Sequence, residues 1–414
     1  MNGFATLKGT TMTSTHPHIS RSDFLKGGAV GLLGLAGASA LAGCASGTQT
    51  PPSASASGDA PAAKAPERII DVHAHLLPGT MNADYVAWLD ETKTMEDGPS
   101  FLWTNTAFED VENHVSEMDR FGIDAEVVTF SSNVPNILKA AEAKGLDGTG
   151  ALQALNDGLH EISKASDGRI VTCSWIDPTQ PETAVSEMDR MAEKGTKAFG
   201  VLTGYRFGGG GHYLDHPSFE PFWAEANKLK LPVFTHFSTR FPINDPDSPL
   251  TGFSTENVQN GGVSVLVENT VSAVRLVYSG YLDKYDDLRI VLGQLGGFFP
   301  WMFGRYELMY GLYSGNGDKQ GVDYKNPDNL DTYLRNLKDY ARFFYLDSHS
   351  MSVEDVALAQ QIMGTDHVMF GSDYPITSAE LGREQPLKSL EGLPADQQLR
   401  EDFYHAAAEN LLGI

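Results

Sequence analysis

Residues 69–414 read as an α/β chain, a (β/α)8 TIM barrel with loop insertions, and three observations point there. Short β-branched runs alternate with longer segments of helical periodicity, the signature of βα units around a parallel sheet. Eight such units fit into roughly 346 residues, the length this architecture takes once its loops are extended. Histidines and aspartates fall at the ends of the short runs, on the face where such barrels carry their active sites. A doubly wound sheet shares the alternation, because pattern alone does not show closure, but no glycine fingerprint follows the first strand and no internal repeat is visible.

The first strand, 68–73, carries Ile69, Ile70 and Val72, and the helical pattern 110–121 follows it. Strand 125–130 brings Val127 and Val128 and leads to the helix 156–165. Strand 169–176, with Ile170 and Val171, precedes 181–193, and strand 197–202 precedes 219–229. The fifth strand, 231–237, passes through Val233 and Phe234 toward the helix 272–284. Strand 288–294 holds Ile290 and Val291 and leads to 300–312; 343–347 leads to 353–363; 367–372 leads to 396–412. Three stretches exceed a simple connection: 78–106, 206–215 and 238–262. Each follows a strand, which in a barrel makes it a wall or lid of the active face.

Of the 414 residues, 41% are hydrophobic and 20% charged, a globular composition long enough for one large barrel or two ordinary domains. Thirty Lys plus Arg against 54 Asp plus Glu leave a net charge of −24, spread along the chain. That charge repels a phosphate backbone and removes the counterion release that drives nucleic-acid binding, so that class of function is excluded. Residues 27–43 carry no charge, follow Arg21 and Lys26, and are too short and glycine-rich for a stable span, so 1–43 reads as an export signal. Ser20-Arg21-Ser22-Asp23-Phe24-Leu25-Lys26 resembles the twin-arginine export motif with Ser22 in place of the second arginine. Leu41-Ala42-Gly43-Cys44 resembles a bacterial lipobox, whose cysteine takes the lipid. Residues 44–68, rich in Ala, Ser, Pro, Gly and Thr, read as a disordered tether. The expectation is an exported lipoprotein, at the cell surface or in the periplasm, touching the membrane only through lipidated Cys44. Cys173 then has no partner, and no disulfide framework is available.

Asp71-Val72-His73-Ala74-His75 ends the first strand, where alternation sends both histidines the same way, and imidazoles about 6 to 7 Å apart along a strand can share one metal ion. A lone histidine there is more often an ordinary core residue; the pair at a barrel mouth favours a metal site. Thr235-His236 at the end of strand five and Gly371-Ser372-Asp373-Tyr374-Pro375 at the end of strand eight fit the same constellation. Asp373 could instead cap the last helix. Three imidazoles, a carboxylate and a water suit a divalent metal, Zn2+ first, with Mn2+ or Fe2+ as less selective alternatives.

These motifs, with Met118-Asp119-Arg120-Phe121-Gly122-Ile123-Asp124, Leu214-Asp215-His216-Pro217-Ser218-Phe219, Leu231-Pro232-Val233-Phe234-Thr235-His236 and Leu295-Gly296-Gly297-Phe298-Phe299-Pro300, resemble the amidohydrolase superfamily. Within it they are similar to the amidohydrolase-related branch that includes aminocarboxymuconate semialdehyde and resorcylate-type decarboxylases, over nearly all of 69–414. The resemblance implies a metal held by His73, His75, His236 and Asp373, a small carboxylated or cyclic organic acid as substrate, decarboxylation or hydrolysis as the reaction, and a homodimer. The branch carries a histidine just before Leu-Gly-Gly; here that residue is Gln294, which hydrogen-bonds but does not titrate near neutral pH. Three explanations stay open. Asp373 serves as ligand and base together, as hydrolysis would allow; His349, just past strand seven, supplies the imidazole; or the barrel is a catalytically disabled cell-surface binding protein. Arg305 matches an arginine that holds a substrate carboxylate in the branch, or it pairs structurally with Glu307. Arg206 and Arg240, on loops after strands, could bind a carboxylate, and Trp103 with Phe101 could form an aromatic wall. The run Gly208–Gly211 reads as a flexible loop, and His212 beside it is an outside candidate.

Overall fold

The computed structural model describes residues 65–76, 78, 110–129, 134, 147–208, 210–238, 260–314, 334–349, 351–390 and 396–414. The export signal, nearly all of the tether, Phe101, Trp103, Arg240 and most of the first and third insertions lie outside the described residues.

Eight parallel strands form the sheet: β1 (Ile70–His75), β2 (Ala125–Thr129), β3 (Ile170–Trp175), β4 (Ala198–Leu202), β7 (Val233–His236), β8 (Ile290–Leu292), β9 (Phe344–Asp347) and β10 (Val368–Met369), in that order. The ends meet. Val72 donates its backbone N–H to Phe370 at 2.8 Å, His75 to Tyr374 at 2.7 Å, and Asp373 to His73 at 2.7 Å, so the sheet is a barrel rather than a doubly wound sheet. One side-chain set, including Ile70, Val72, Val127, Cys173, Ala198, Phe234, Val291 and Met369, packs with Leu411 and Leu412 of the C-terminal helix. The other, including Val128, Ile170, Val201, Val233, Ile290, Leu292 and Leu346, packs under the surrounding helices. Apart from half-buried Tyr345 in β9, the strands of this sheet are buried on both faces, which is why their sequences read as nearly continuous apolar runs.

The helices follow as α1 (Val111–Phe121), α2 (Gly148–Ala165), α3 (Pro181–Lys194), α4 (Glu220–Leu229), α5 (Val265–Ser279), α6 (Tyr281–Lys284), α7 (Phe303–Ser314) and α8 (Val353–Met363), with a helical run from Gln397 to Leu412 closing the chain. Local sequence sets their limits. Asp110 caps α1 through Asn113 N–H, and Gly122 ends it at φ 68°. Ser352 and Asp355 form a reciprocal capping box on α8. Helix α2 starts eight residues before the expected 156, because Asp147 accepts from Thr149 and Gly150 N–H and so nucleates a glycine-rich first turn that the apolar pattern does not mark.

The insertion after β4 is a correction. Its start is an antiparallel hairpin, β5 (Gly204–Phe207) with β6 (Gly210–Tyr213), so the glycine run expected as a flexible loop is partly strand, with Gly208 at φ +59° in the turn.

Candidate metal centre

Strand β1 slips register against β2 between Asp71 and Ala74. A slip of this kind re-aims side chains. Asp71 accepts from Ser372 Oγ at 2.5 Å and stands 3.5 Å from buried Arg383, whose guanidinium also bonds Glu126 at 2.5 Å. His73 and His75 instead meet each other and the ends of other strands. Their Nε2 atoms are 3.2 Å apart, their ring centroids lie 5.7 and 5.2 Å from that of His236, and Asp373 Oδ1 is 2.9 Å from His75 Nε2 and 3.6 Å from His73 Nε2.

The far nitrogen of each ring decides what these contacts are. His75 Nδ1 lies 3.0 Å from the Thr129 carbonyl and His236 Nδ1 2.9 Å from the Phe237 carbonyl, and carbonyls only accept, so both Nδ1 atoms carry hydrogen. His73 Nδ1 donates in the same way to the Asp347 carboxylate at 2.8 Å. In the neutral form of each ring the lone pair then sits on Nε2. Burial, together with the neighbouring charges of His75 and His73, holds His236 well below the usual imidazole range; burial also lowers His75, against the opposing pull of Asp373. Imidazole nitrogens that face each other and a carboxylate, with His236 Nε2 buried and unpartnered, are a donor set that a divalent cation fits.

Asp347 serves two rings. Its Oδ2 holds His73, and its Oδ1 accepts from His349 Nδ1 at 2.6 Å and from the Gln294 backbone N–H at 3.2 Å. His349 is buried with its ring 4.0 Å from His73; burial disfavours its charge, but Asp347 outweighs that and raises its proton affinity. Burial likewise opposes charge on Asp347, and the two imidazoles overcome it, keeping the carboxyl below its usual range. Gln294 follows β8 in a one-turn 3-10 segment and bonds Asn269 of α5.

Residues 70–414 match the family profile described as Amidohydrolase. The chain belongs to the amidohydrolase family. It is an enzyme by that kinship, and the alternative of a disabled binding barrel finds no support. It is 24% identical over 363 residues to 2-amino-3-carboxymuconate-6-semialdehyde decarboxylase of Dictyostelium discoideum, covering 83% of this chain and 89% of that one. It is 24% identical over 275 residues to gamma-resorcylate decarboxylase of a Rhizobium species, covering 64% and 76%. The structure of 5-carboxyvanillate decarboxylase from Novosphingobium aromaticivorans, complexed with manganese and 4-hydroxy-3-methoxy-5-nitrobenzoic acid, superposes with a TM-score of 0.61 at 20% identity, over 84% of this chain and 96% of that one.

The fold of this amidohydrolase thus brings His73, His75, His236, Asp373, His349 and Gln294 to one end of the barrel. Asp373, at φ 61°, puts its side chain on His75 rather than on a helix end. Arg305 is exposed on α7, and no ion pair joins it to Glu307 among the described residues. Arg206 lies in β5, whereas His212 packs against Phe207 and His216, with ring centroids 4.4 and 4.3 Å away. Sequence reasoning passed over Asp347, although a carboxylate ending an apolar strand is the same signal that picked out Asp373. Glu126 carried a weaker signal, a charge inside a β-branched strand. Arg383 carried none, since nothing local marks which carboxylates it meets.

Proposed function

We propose that this amidohydrolase is a metal-dependent decarboxylase of small aromatic carboxylic acids. The observation that carries the reading is Asp347, which joins His73 to a second buried imidazole, His349, beside Gln294, where the branch has its own histidine. The names of the relatives support the substrate class. His73, His75, His236 and Asp373 would hold the divalent ion, with zinc, manganese or iron all compatible with three imidazoles and a carboxylate. When bound, the ion supplies Lewis acidity toward substrate oxygens.

The proton falls to the side chains. In decarboxylation the bond from ring carbon to carboxyl carbon breaks, its electron pair stays on the ring carbon, carbon dioxide leaves, and that carbon takes a proton. We assign this proton to His349 Nε2. Asp373 suits the role less: burial opposes its charge, but the close contact with His75 and the nearby imidazoles of His349 and His73 keep its carboxyl below the usual range, a poor proton source. Arg206, Arg240 and Arg305 are the candidate anchors for a carboxylate, and Trp103 for a ring. Full-length protein loaded with manganese or zinc and given 2,6-dihydroxybenzoate or 2-hydroxybenzoate should release carbon dioxide, and His349→Asn should lower the rate about a hundredfold or more. Hydrolysis of lactones or amides with no carbon dioxide from any hydroxybenzoate would replace this reading by the hydrolase one.

Export and lipid modification at Cys44 are part of the same proposal, supported by the uncharged run 27–43 and by Leu41-Ala42-Gly43-Cys44. Cys44→Ala should abolish labelling by a radioactive fatty acid and move the protein out of the membrane fraction. Labelling that persists would sink the lipoprotein assignment.

A further inference from the structure

Gln294 is where this chain departs from its branch, and its amide has one orientation. Asn269, fully buried in α5, fixes it. One terminal atom of Asn269 lies 3.1 Å from the Gly293 carbonyl oxygen and 2.6 Å from the Gln294 amide. A backbone carbonyl only accepts, so the Asn269 atom facing it is the Nδ2 amino group, and the Gln294 atom it also meets must accept and is Oε1. Turning Asn269 over would set two oxygens against each other; turning Gln294 over would set two amino groups against each other. The Nε2 amino group of Gln294 is the end left over. Among the described residues it has no hydrogen-bond partner.

The backbone holds this end in place at a cost. Gln294 and Leu295 sit at φ 47° and 51°, a left-handed conformation that non-glycine residues adopt only when their surroundings insist. Here the Gln294 N–H bonds Asp347 at 3.2 Å, Gly296 N–H bonds Gly293 O at 2.8 Å, and Gly297 N–H bonds Gln294 O at 3.0 Å. Two independent anchors, the strained turn and Asn269, therefore fix one donor group, on the residue whose backbone N–H bonds the carboxylate that orients His73 and His349.

We propose that Gln294 is a substrate-binding residue whose fixed amino group donates a hydrogen bond to an anionic oxygen of the bound acid, with Asn269 as its positioning residue. The identity of the ligand as a carboxylic acid rests on the function proposed above. The chemical consequence is a donor of constant polarity. An imidazole in this place would change its charge near neutral pH, whereas the amide presents the same hydrogens at every pH.

The test is calorimetric binding of 2,6-dihydroxybenzoate to full-length, manganese-loaded protein, with metal content read on the same samples. Gln294→Glu keeps the shape and the bond from Asn269 but presents an oxygen where the amino group stood, so Kd should rise on the order of a hundredfold. Gln294→Met, which removes the donor without adding charge, should raise Kd about tenfold. Asn269→Ala frees the amide to rotate and should raise Kd by several-fold with metal content unchanged. Benzamidine, whose polarity is reversed, should bind Gln294→Glu more tightly than the native protein, a gain that a purely structural residue would not produce. Equal Kd values in all variants, or no binding of 2,6-dihydroxybenzoate to the native protein, overturn the assignment. Carbon dioxide release is scored separately: binding in the expected pattern without release overturns the decarboxylase reading and leaves the donor standing.

Discussion

His73, His75 and His236 share one property that precedes any ion: each gives its Nδ1 hydrogen to a protein acceptor, respectively Asp347, Thr129 and Phe237. Two of those acceptors are backbone and cannot be mutated away, so Asp347 is the orienting group open to test. Asp347→Ala should weaken divalent-metal binding about 10- to 100-fold, measured by competition with a chelating dye; unchanged affinity would mean that the His73 ring is fixed by packing alone. Glu268 offers a second test at this scale. It is buried in α5, accepts from Thr203 Oγ1 and Ser238 N–H, and burial pushes its pKa up to about 8, those bonds opposing only in part. Between the unperturbed value of 4.5 and about 8 the folded chain keeps a proton that the unfolded chain has released. Folding stability contributed by this group is therefore full below the lower value and declines as pH rises to the upper one. Glu268→Gln keeps both accepted bonds and removes the decline. In urea unfolding at pH 5 and pH 8.5, the variant should gain on the native protein by at least about 1 kcal/mol at the higher pH, since tenfold in proton affinity is worth about 1.4 kcal/mol.

Elements meet at two tight places. The turn after β8 runs under α5, and a Cβ added at Gly297 would lie 2.0 Å from the Leu266 carbonyl oxygen and 2.8 Å from Thr270 Oγ1, with φ at +64°. Gly297→Ala should cost on the order of 3 kcal/mol, read as a lower thermal midpoint, because neither backbone can yield without moving the helix. A midpoint equal to the native one would show that α5 is loosely seated. The second place is the segment after β10, where Arg383 stands between Asp71 of β1 and Glu126 of β2 and its Cζ lies 4.1 Å from the Tyr374 ring centroid. Arg383→Met should lower stability by about 3–5 kcal/mol, because it leaves two buried carboxylates without their cation. Denaturant midpoints measure this directly, and a loss under about 1 kcal/mol would mean that the carboxylates protonate at little cost.

Across the whole molecule the proposed ion would join distant parts of the chain, because its ligands come from β1, β7 and the segment after β10. A ligand that binds only the folded state stabilises it by about 2.7 kcal/mol at a hundredfold excess over Kd. Chelation should therefore lower the thermal midpoint by several degrees, and added manganese or zinc should restore it; a midpoint indifferent to chelator would deny the site. The sequence by itself determined the alternation of strand and helix and the placing of histidines and aspartate at strand ends, since a period-two pleat and a strand terminus are properties of a few consecutive residues. Positions 73, 75, 236 and 373 were legible for that reason. The tertiary structure alone decided which acceptor each ring would meet. Asp347 and His73 lie 274 positions apart, and nothing in local composition or periodicity marks that the closed sheet sets their strand ends side by side. It alone also fixed the polarity of Gln294, because an amide has no preferred end until a neighbour of known hydrogen-bonding character, here Asn269 against the Gly293 carbonyl, is folded against it.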